Sequence, residues 1–298
     1  MNKLEVIIST SRPKTLFASL GPVIVGLSLA FYNQNTIKPF IAFLTILCAL
    51  LLQMSSNFIN DYYDGIRGVD TNERLGPKRL SSQGEDLKSF IKLLFISSLS
   101  LAFILGCVLM YHGGATIIVI GLSSILFSYL YTGGPIPLSY IALGELLALV
   151  FFGPVAIYGT YFLQTLTFDI SPLALGISIG FVSAAIMGIN NLRDIETDKK
   201  TTKRTIAIFL GEKSMRYLIV VFIILSLSGQ VYLIQTMNYP KSLLLSALVP
   251  LLFIKTWKRV IFEKVSSEFN NILANTGKYL FVLSLVISII LIYENLSR

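Results

Sequence analysis

The sequence predicts an all-α membrane protein, a single multi-pass domain over residues 1–298 with nine transmembrane helices. Its composition is 54% hydrophobic and 13% charged, about half of the ~25% charged residues that soluble domains carry. Apolar stretches without charged side chains recur from one end of the chain to the other. Their return between short polar loops is typical of a chain that crosses a bilayer many times.

Nine apolar segments can be marked, and each is predicted to be a helix because lipid offers no hydrogen-bond partner to irregular backbone. Several are shorter than the roughly 20 residues that a full span needs, so their helices are expected to run about a turn further. The segments are Leu16–Tyr32, Phe40–Phe58, Phe90–Tyr111, Thr116–Tyr131, Ile141–Leu163, Leu173–Ile189, Leu218–Ile234, Leu243–Ile254 and Tyr279–Ile292.

The basic residues predict the orientation of these helices. With nine spans, only Lys38, Lys241 and Arg298 lie on the side opposite the N-terminus, and the remaining 21 of the 24 Lys and Arg lie on its own side. Basic residues concentrate in cytoplasmic loops of membrane proteins. The sequence therefore predicts a multi-pass protein of the cell (inner, or cytoplasmic) membrane, with the N-terminus and long polar loops in the cytoplasm and the C-terminus outside.

A first polar cluster stands where the second apolar segment meets the cytoplasm. It consists of Asn57, Asn60, Asp61 and Asp64. Residues three or four apart are neighbours on a helix surface, so these four side chains share one face.

A second cluster follows the sixth segment and repeats the same pattern weakly. Asp194 and Asp198 stand one helical turn apart, with Asn190 and Asn191 one turn before them. Paired oxygen ligands on each of two helices are what Mg²⁺ needs, since it binds through a few carboxylates, waters and substrate phosphate. Polar side chains at this density near membrane helix ends usually mark sites.

A simpler interpretation is that these residues only mark helix ends and solvated loops. It accounts for one Asp near an interface, but acidic residues at a helix C-terminus are disfavoured by about 0.3–1 kcal/mol each. A bound cation would compensate for this at both helices. Basic residues follow each cluster and could contact a diphosphate leaving group, although cytoplasmic orientation also explains them. They are Arg74, Lys78 and Arg79 after the first cluster, and Lys199, Lys200, Lys203 and Arg204 after the second.

Several strings, in this order and spacing, resemble the UbiA-type superfamily of intramembrane prenyltransferases, and within it the branch that acts on 1,4-dihydroxy-2-naphthoate. The likeness runs from about residue 12 to residue 211. The strings are Arg12-Pro-Lys-Thr-Leu16, Asn60-Asp61-Tyr-Tyr-Asp64 with Gly68-Val-Asp70, Arg74-Leu-Gly-Pro-Lys-Arg79, Tyr131-Thr-Gly-Gly-Pro135, Leu143-Gly-Glu145, Phe151-Phe-Gly153, Gly159-Thr-Tyr161, Asn190-Asn-Leu-Arg-Asp194 and Thr205-Ile-Ala207.

The resemblance implies a UbiA-like fold and a reaction between a polyprenyl diphosphate and an aromatic acceptor in the lipid bilayer. It implies two Mg²⁺ ions, one held by Asn57, Asp61 and Asp64 and the other by Asp194 and Asp198. The four Asp residues would be catalytic. Transfer to the naphthoate with loss of CO₂ and diphosphate would give demethylmenaquinone. The residues expected to contact the diphosphate or the acceptor are Asn57, Asn60, Arg74, Lys78, Arg79, Tyr131, Glu145, Asn190, Asn191, Arg193 and Lys199.

The sequence departs from the wider superfamily in two places. The first motif of that superfamily often has a third Asp where this chain has Gly68, so a ligand role for Asp70 stays open. The loop after Tyr131 lacks the Lys that the wider group tends to carry there. Glu145 lies in or near the fifth segment, where a charge is costly and usually functional, although it could also be a helix-start residue at the interface.

Two other functions remain open from the sequence. The same fold could prenylate homogentisate, hydroxybenzoate or a lipid alcohol, and the preference for naphthoate depends on the resemblance alone. An ion-coupled transporter would instead place ionisable residues near the middle of the membrane and would contain broken helices in paired positions. The acidic clusters of this chain lie at one membrane face, which argues against transport.

Overall fold

The protein is described by a computed structural model over residues 2–68, 75–76 and 79–298. Regular structure within these residues is helical, apart from one isolated β-bridge between Ile141 and Arg204. The α-helices are α1 (Lys3–Ser11), α2 (Pro13–Gln34), α3 (Pro39–Ile66), α4 (Glu85–Leu130), α5 (Gly144–Val150), α6 (Ala156–Thr165), α7 (Ser171–Arg193), α8 (Ile195–Lys199), α9 (Ile206–Leu225), α10 (Ser228–Thr236), α11 (Val249–Leu252), α12 (Ile254–Phe262) and α13 (Phe269–Leu296). A π-helical turn, Phe151–Val155, joins α5 to α6, and 3₁₀ turns cover Leu80–Gln83, Leu138–Tyr140 and Lys241–Leu248.

Six helical stretches among the described residues are long and apolar enough to cross a membrane. They are Pro39–Ile66, Glu85–Leu130, Gly144–Thr165, Ser171–Arg193, Ile206–Thr236 and Phe269–Leu296. The prediction of an all-helical membrane protein is therefore confirmed for the described part of the chain. The count of nine spans stays a prediction.

Helix α4 differs most from the predicted segments. It runs for 46 residues and contains both the third and the fourth predicted segment. Gly114 interrupts it with φ 62° and ψ −151°, a left-handed backbone region that glycine adopts at no steric cost. The predicted boundary between the two segments therefore coincides with a break in the helix and not with a polar loop.

Helix α7 is the most enclosed of the six stretches. In its apolar window 72% of the residues are buried inside the protein, against 22% for α4. Leu175, Ile179 and Val182 are fully buried in the core that α7 forms with α2, α9 and α13. The helices around it expose large apolar side chains, as the lipid environment allows.

A close backbone contact fixes the π-helical turn against α7. A Cβ atom added to Gly153 would come within 2.3 Å of the Gly176 carbonyl oxygen and 2.7 Å of the Gly180 Cα. Glycine at all three positions lets the two backbones touch, as small residues do where membrane helices pack closely. This contact holds α5 and its Glu145 beside the C-terminal half of α7.

Candidate active site

The first cluster occupies the last three turns of α3, and a neighbouring 3₁₀ turn binds one of its carboxylates. The Asp61 carboxylate accepts hydrogen bonds from the backbone N–H of Leu80 at 3.3 Å and of Ser81 at 3.0 Å. The Ser81 hydroxyl donates back to the Asp61 carbonyl at 2.5 Å. Asp61 therefore satisfies amides at the start of a helical turn that have no partner within it.

Asp64, one turn further along α3, is held by groups from two other segments. Its Oδ2 lies 2.7 Å from Nη2 of Arg79, and its Oδ1 accepts a hydrogen bond of 2.8 Å from the Tyr140 hydroxyl. Arg79 also donates to Oδ1 of Asn60 at 2.8 Å. Asp64 is 1% exposed and Arg79 is 3% exposed, so each charge needs a partner inside the protein.

Tyr140 keeps its proton in this position. Burial raises the pKa of the Tyr140 hydroxyl, and the neighbouring Asp64 carboxylate raises it further. A neutral phenol is a hydrogen-bond donor. The hydroxyl therefore donates to Asp64 throughout the physiological pH range.

Asn57 connects the first cluster to the N-terminal part of the chain. Its Nδ2 donates to the Ser11 carbonyl at 2.8 Å, and Ser11 is the last residue of α1. Arg12 follows in a left-handed conformation with φ 53° and joins α1 to α2. The bond from Asn57 holds this junction against the last turns of α3.

The second cluster forms where α7 ends, and an adjacent residue holds its first carboxylate. Arg193 donates to both oxygens of Asp194, through Nε at 2.8 Å and Nη2 at 2.6 Å. Nη2 also donates to Oδ1 of Asn190 at 2.9 Å. Both charged side chains are almost fully buried. This two-pronged contact fixes the orientation of the carboxylate as well as its position.

The second carboxylate of this cluster has a more distant partner. Oδ1 of Asp198 lies 3.2 Å from Nζ of Lys203. The Lys203 ammonium also lies 5.3 Å from the centre of the Tyr140 ring, a distance typical of a cation–π contact. Since Tyr140 donates to Asp64, a continuous path of contacts leads from the first cluster through Tyr140 and Lys203 to the second.

Helix α13 adds an amide to this end of the protein. Oδ1 of Asn270 accepts a hydrogen bond of 2.8 Å from Nη1 of Arg193, and its Nδ2 donates to the Leu75 carbonyl at 2.9 Å. Asn270 therefore connects the second cluster to the polar segment that follows the first. The two clusters share one polar end of the protein, built from α3, α7, α13 and their loops.

Glu145 lies beside the second cluster, at the start of α5. It is 2% exposed, and its Oε1 accepts a hydrogen bond of 3.0 Å from Nδ2 of Asn191. Its Oε2 has no hydrogen-bond partner among the described residues. The Tyr131 hydroxyl, nearby at the end of α4, donates to the sulfur of Met187 at 2.9 Å.

A cavity of about 780 Å³ opens between the clusters and extends along the helices. Asn57, Asn190 and Arg193 line one end together with Asn270. Away from this end the lining is mainly apolar, and on α3 it reaches back from Asn60 to Thr45, about 22 Å at the helical rise of ~1.5 Å per residue. The cavity therefore has a polar end, formed by asparagines of both clusters with Arg193 and Asn270, and a long apolar remainder.

The described residues offer carboxylate and amide oxygens as possible ligands for a metal ion. Among them no three His, Cys, Asp or Glu side chains gather into a metal site of their own. Mg²⁺ does not need such a group, because one or two carboxylates with waters and substrate phosphate usually complete its octahedron. Two carboxylates at each cluster, with amide oxygens beside them, fit an ion that is shared with a diphosphate.

Most of the predicted site residues come together in this structure, but one does not. Lys199 pairs with Glu196 at 2.6 Å on the surface, and its side chain is 47% exposed. Lys203, four residues later, is the Lys that contacts Asp198. Three further predicted positions, Asp70, Arg74 and Lys78, lie outside the described residues.

Sequence reasoning missed Tyr140 and Asn270 and did not single out Lys203 among the basic residues. Tyr140 and Asn270 reach the clusters only through tertiary contacts, so no spacing near Asp64 or Asp194 reveals them. A signal for Asn270 was present: an Asn-Asn pair at Asn270 and Asn271 begins an apolar helix at the same polar end, as Asn190 and Asn191 mark the end of another.

Comparison with known proteins gives a family match over most of the chain. The model of the UbiA prenyltransferase family matches residues 19–275. The chain is 37% identical over 211 residues to a 1,4-dihydroxy-2-naphthoate octaprenyltransferase of Mycobacterium tuberculosis, covering 71% of this chain and 72% of that protein. It is 33% identical over 222 residues to the octaprenyltransferase of the same name from Escherichia coli, with 72% of each chain covered.

Solved structures show the same fold at lower sequence identity. A UbiA homolog from Archaeoglobus fulgidus bound to GPP and Mg²⁺ has a TM-score of 0.68 and 17% identity, with 97% of this chain and 99% of that chain covered. The same homolog bound to DMAPP and Mg²⁺ has a TM-score of 0.65 and 18% identity, with 93% and 98% covered.

Proposed function

This chain belongs to the UbiA prenyltransferase family, and we propose that it transfers a polyprenyl group from polyprenyl diphosphate to 1,4-dihydroxy-2-naphthoate. The transfer releases diphosphate and CO₂ and gives the hydroquinone form of demethylmenaquinone, a step of menaquinone biosynthesis. The acceptor is the one named for relatives that are 33–37% identical over about 70% of the chain. Other acceptors, such as homogentisate or hydroxybenzoate, are the alternatives within the same fold.

One observation carries the proposal: the asparagines of both acidic clusters, with Arg193, line one end of a cavity whose remainder is mainly apolar. A polyprenyl diphosphate has the same division, with a highly charged head and a long hydrocarbon tail. When the tail packs against the apolar part of the lining, no further polar group loses its hydrogen-bond partner. The clusters with Arg79, Arg193 and Lys203 provide the polar end for the head.

Mg²⁺ would be held by Asn57, Asp61 and Asp64 at the first cluster, and a second ion by Asp194 and Asp198. Bound there, it would neutralise the diphosphate and so promote departure of the leaving group. The proposal of two ions is supported by the repeat of the carboxylate pair on α3 and α7.

The chain's own cations would support the same departure. Arg79 and Arg193 are buried and fixed by several hydrogen bonds each, so they need little reorganisation when negative charge develops on the diphosphate. Breaking the bond between the prenyl carbon and the diphosphate oxygen leaves an allylic cation. The apolar wall of the cavity excludes water from this cation, and the electron-rich acceptor ring then attacks it through carbon.

The remaining candidate contacts have the following proposed roles. Asn60, Asn190 and Asn191 orient the charged groups of the clusters through the hydrogen bonds given above. Tyr131, which lines the cavity, and Glu145, which Asn191 holds, would face the reacting end of the substrates. Lys199, together with Arg74 and Lys78 beyond the described residues, is a more distant candidate for diphosphate contact.

The protein is a multi-pass membrane protein, and we further propose nine spans in one domain over residues 1–298. Five of the spans would be α3, α5–α6, α7, α9–α10 and α13. The other four would be α2, the two halves of α4 on either side of Gly114, and the apolar turns over residues 241–252. The distribution of Lys and Arg supports a cytoplasmic N-terminus and site in the cell membrane.

Accessibility of single cysteines at positions 38 and 241 to an impermeant thiol reagent in intact cells tests this orientation, in a background lacking Cys48 and Cys107. Labelling from outside supports the proposal, and protection of both contradicts it.

Purified enzyme incubated with Mg²⁺, a polyprenyl diphosphate and 1,4-dihydroxy-2-naphthoate tests the reaction. Mass spectrometry should detect the decarboxylated prenyl product, and EDTA should abolish it. Release of diphosphate without this product would leave the prenyltransferase assignment in place and show that the acceptor is wrong. No metal-dependent reaction with any aromatic acceptor would contradict the proposed function.

A further inference from the structure

One polar side chain in the cavity wall lacks the partner that a membrane helix would normally give it. Gln53 lies on α3 and lines the cavity. Its Oε1 is buried and accepts no hydrogen bond from the described residues. Among the buried side-chain polar atoms without a partner in the described part of the chain, it is the one whose residue lines this cavity.

Other polar residues of the same wall are satisfied locally. Thr45, Ser128 and Thr160 also line the cavity, and each hydroxyl donates to a carbonyl of its own helix at 2.7 or 2.8 Å. A Gln oxygen cannot use this solution, because helix carbonyls are acceptors as well. A buried acceptor without a donor costs about 1–3 kcal/mol, so a donor from a bound ligand would be favourable at Gln53.

The position of Gln53 relates it to the reacting end of the cavity. It precedes Asp61 by eight residues on one helix, a rise of about 12 Å. The diphosphate, the scissile carbon and the attacking ring must all fit in this interval. The last torsion of a Gln side chain is soft, so a turn of the amide brings its oxygen to a ligand in the cavity.

We propose that Gln53 binds a ring hydroxyl of the aromatic acceptor through Oε1 and so selects hydroxylated aromatic compounds. This inference depends on the proposed function, since it assumes that the prenyl diphosphate and the aromatic acceptor bind in different parts of the same cavity. A polyprenyl diphosphate has a hydrocarbon tail and ionised phosphate oxygens, and neither part donates a hydrogen bond. A hydroxylated aromatic acceptor does, and it is the substrate that can satisfy Gln53.

The surroundings of Gln53 suit an aromatic ring with polar substituents. Ser56 is one turn further along the same face of α3, and Ser124 of α4 lines the same cavity. The rings of Phe127 and Phe151, both lining residues, lie 5.1 Å apart, and aromatic side chains favour tilted or offset contacts with further rings. The acceptor would therefore lie between α3, α4 and the π-helical turn.

Steady-state kinetics of Gln53→Leu test this assignment. We expect the KM for 1,4-dihydroxy-2-naphthoate to rise roughly tenfold, as for loss of one hydrogen bond in a buried site, with the KM for the prenyl diphosphate unchanged. Thr276→Val is the control, since it removes a buried hydroxyl that already donates to a carbonyl of its own helix, outside the cavity lining, and it should change neither value. A raised KM for the prenyl diphosphate, or equal kinetics in wild type and variant, would overturn the assignment.

Methyl ethers of the acceptor separate recognition from a general effect on structure. Replacing the recognised hydroxyl by methoxy should weaken competitive inhibition of the wild type roughly tenfold but leave inhibition of Gln53→Leu unchanged. Equal losses in both proteins would overturn the role of Gln53. If the wild type made no product from this acceptor, the proposed function would fail; if it did and Gln53→Leu matched it in every assay, only this inference would fail.

Discussion

The two acidic clusters contain the same residue types, but the protein holds them in different ways. The carboxylates of the first cluster bind groups from separate segments: the 3₁₀ turn at Leu80–Gln83 on Asp61, and both Arg79 and Tyr140 on Asp64. In the second cluster Asp194 is held by Arg193, its neighbour in sequence. The first cluster therefore depends on tertiary structure, and the second is largely built by the end of α7.

This difference explains how charge is balanced at two helix C-termini where negative charge is unfavourable. In both clusters a guanidinium group balances a carboxylate charge: Arg79 pairs with Asp64, and Arg193 pairs with Asp194. The Lys203 ammonium does the same for Asp198 at 3.2 Å. At the sites proposed above, Mg²⁺ would therefore compete with protein cations for the carboxylates. Lys203, which pairs with Asp198, would then be available for the diphosphate, and this would link metal binding to substrate binding.

The largest effect is expected from removing one carboxylate charge in either cluster. Asp61→Asn and Asp194→Asn should each lower turnover by about three orders of magnitude, because each removes a charged metal ligand while keeping the shape of the side chain. Detergent-solubilised variants should still elute as folded protein in size-exclusion chromatography. Near wild-type turnover in either variant would sink the two-metal assignment.

Substitution of Arg79, which pairs with Asp64 of the first cluster, should lower the unfolding temperature more than substitution of an exposed Arg. Arg79→Leu leaves Asp64 buried without its main charge partner, and breaking such a pair costs about 3–5 kcal/mol. Thermal unfolding in detergent should show a clear drop. Arg204→Leu is the control, since the Arg204 side chain is exposed and, within the described part of the chain, donates to the nearby carbonyls of Thr201 and Lys203. It should leave the unfolding temperature unchanged. Equal temperatures for the two variants would contradict the proposed dependence on Arg79.

Lys203 and Lys199 form a matched pair that tests the exchange of partners. In Lys203→Met, we expect Mn²⁺ alone to bind more tightly, because a competitor for Asp198 is gone. Diphosphate in the presence of Mn²⁺ should bind roughly tenfold more weakly, as for loss of a charged hydrogen bond. Lys199→Met should weaken diphosphate binding less than Lys203→Met does, because Lys199 pairs with Glu196 on the surface. If only Lys199→Met weakened diphosphate binding, Lys199 and not Lys203 would be the residue that contacts the diphosphate, and the prediction would be wrong.

A smaller change is expected from Tyr140→Phe, which removes the hydroxyl that donates to Asp64. We expect turnover to fall a few-fold, as for loss of one hydrogen bond of about 1 kcal/mol. Because the pKa of Tyr140 is raised by burial and by Asp64, its proton is present both below and around the ordinary phenol value near 10. The ratio of wild-type to variant turnover should therefore be the same at pH 7 and pH 9. A ratio that falls towards one by pH 9 would show that Tyr140 ionises and that its donated bond is lost.

Local sequence patterns were sufficient for part of this structure. The helix class and the positions of both clusters follow from apolar segments and from three- and four-residue spacings, which are local properties of a helix. The π-helical turn at Phe151–Val155 was not predicted, because it lies inside an apolar segment whose hydropathy does not change there. At Gly114 the boundary between two segments was predicted, but not that one helix continues across it. The partners of the clusters were also beyond reach, since Tyr140 and Asp64 are 76 positions apart and meet only after folding.

The number of divalent ions bound with the prenyl diphosphate tests most directly the claim that both clusters serve one substrate. Wild-type protein with Mn²⁺ and a non-ionising thiolodiphosphate analogue should bind two ions per chain by paramagnetic resonance titration. The double variants Asp61→Asn/Asp64→Asn and Asp194→Asn/Asp198→Asn should each bind one. A single ion in the wild type, or a double variant that still binds two, would contradict the account.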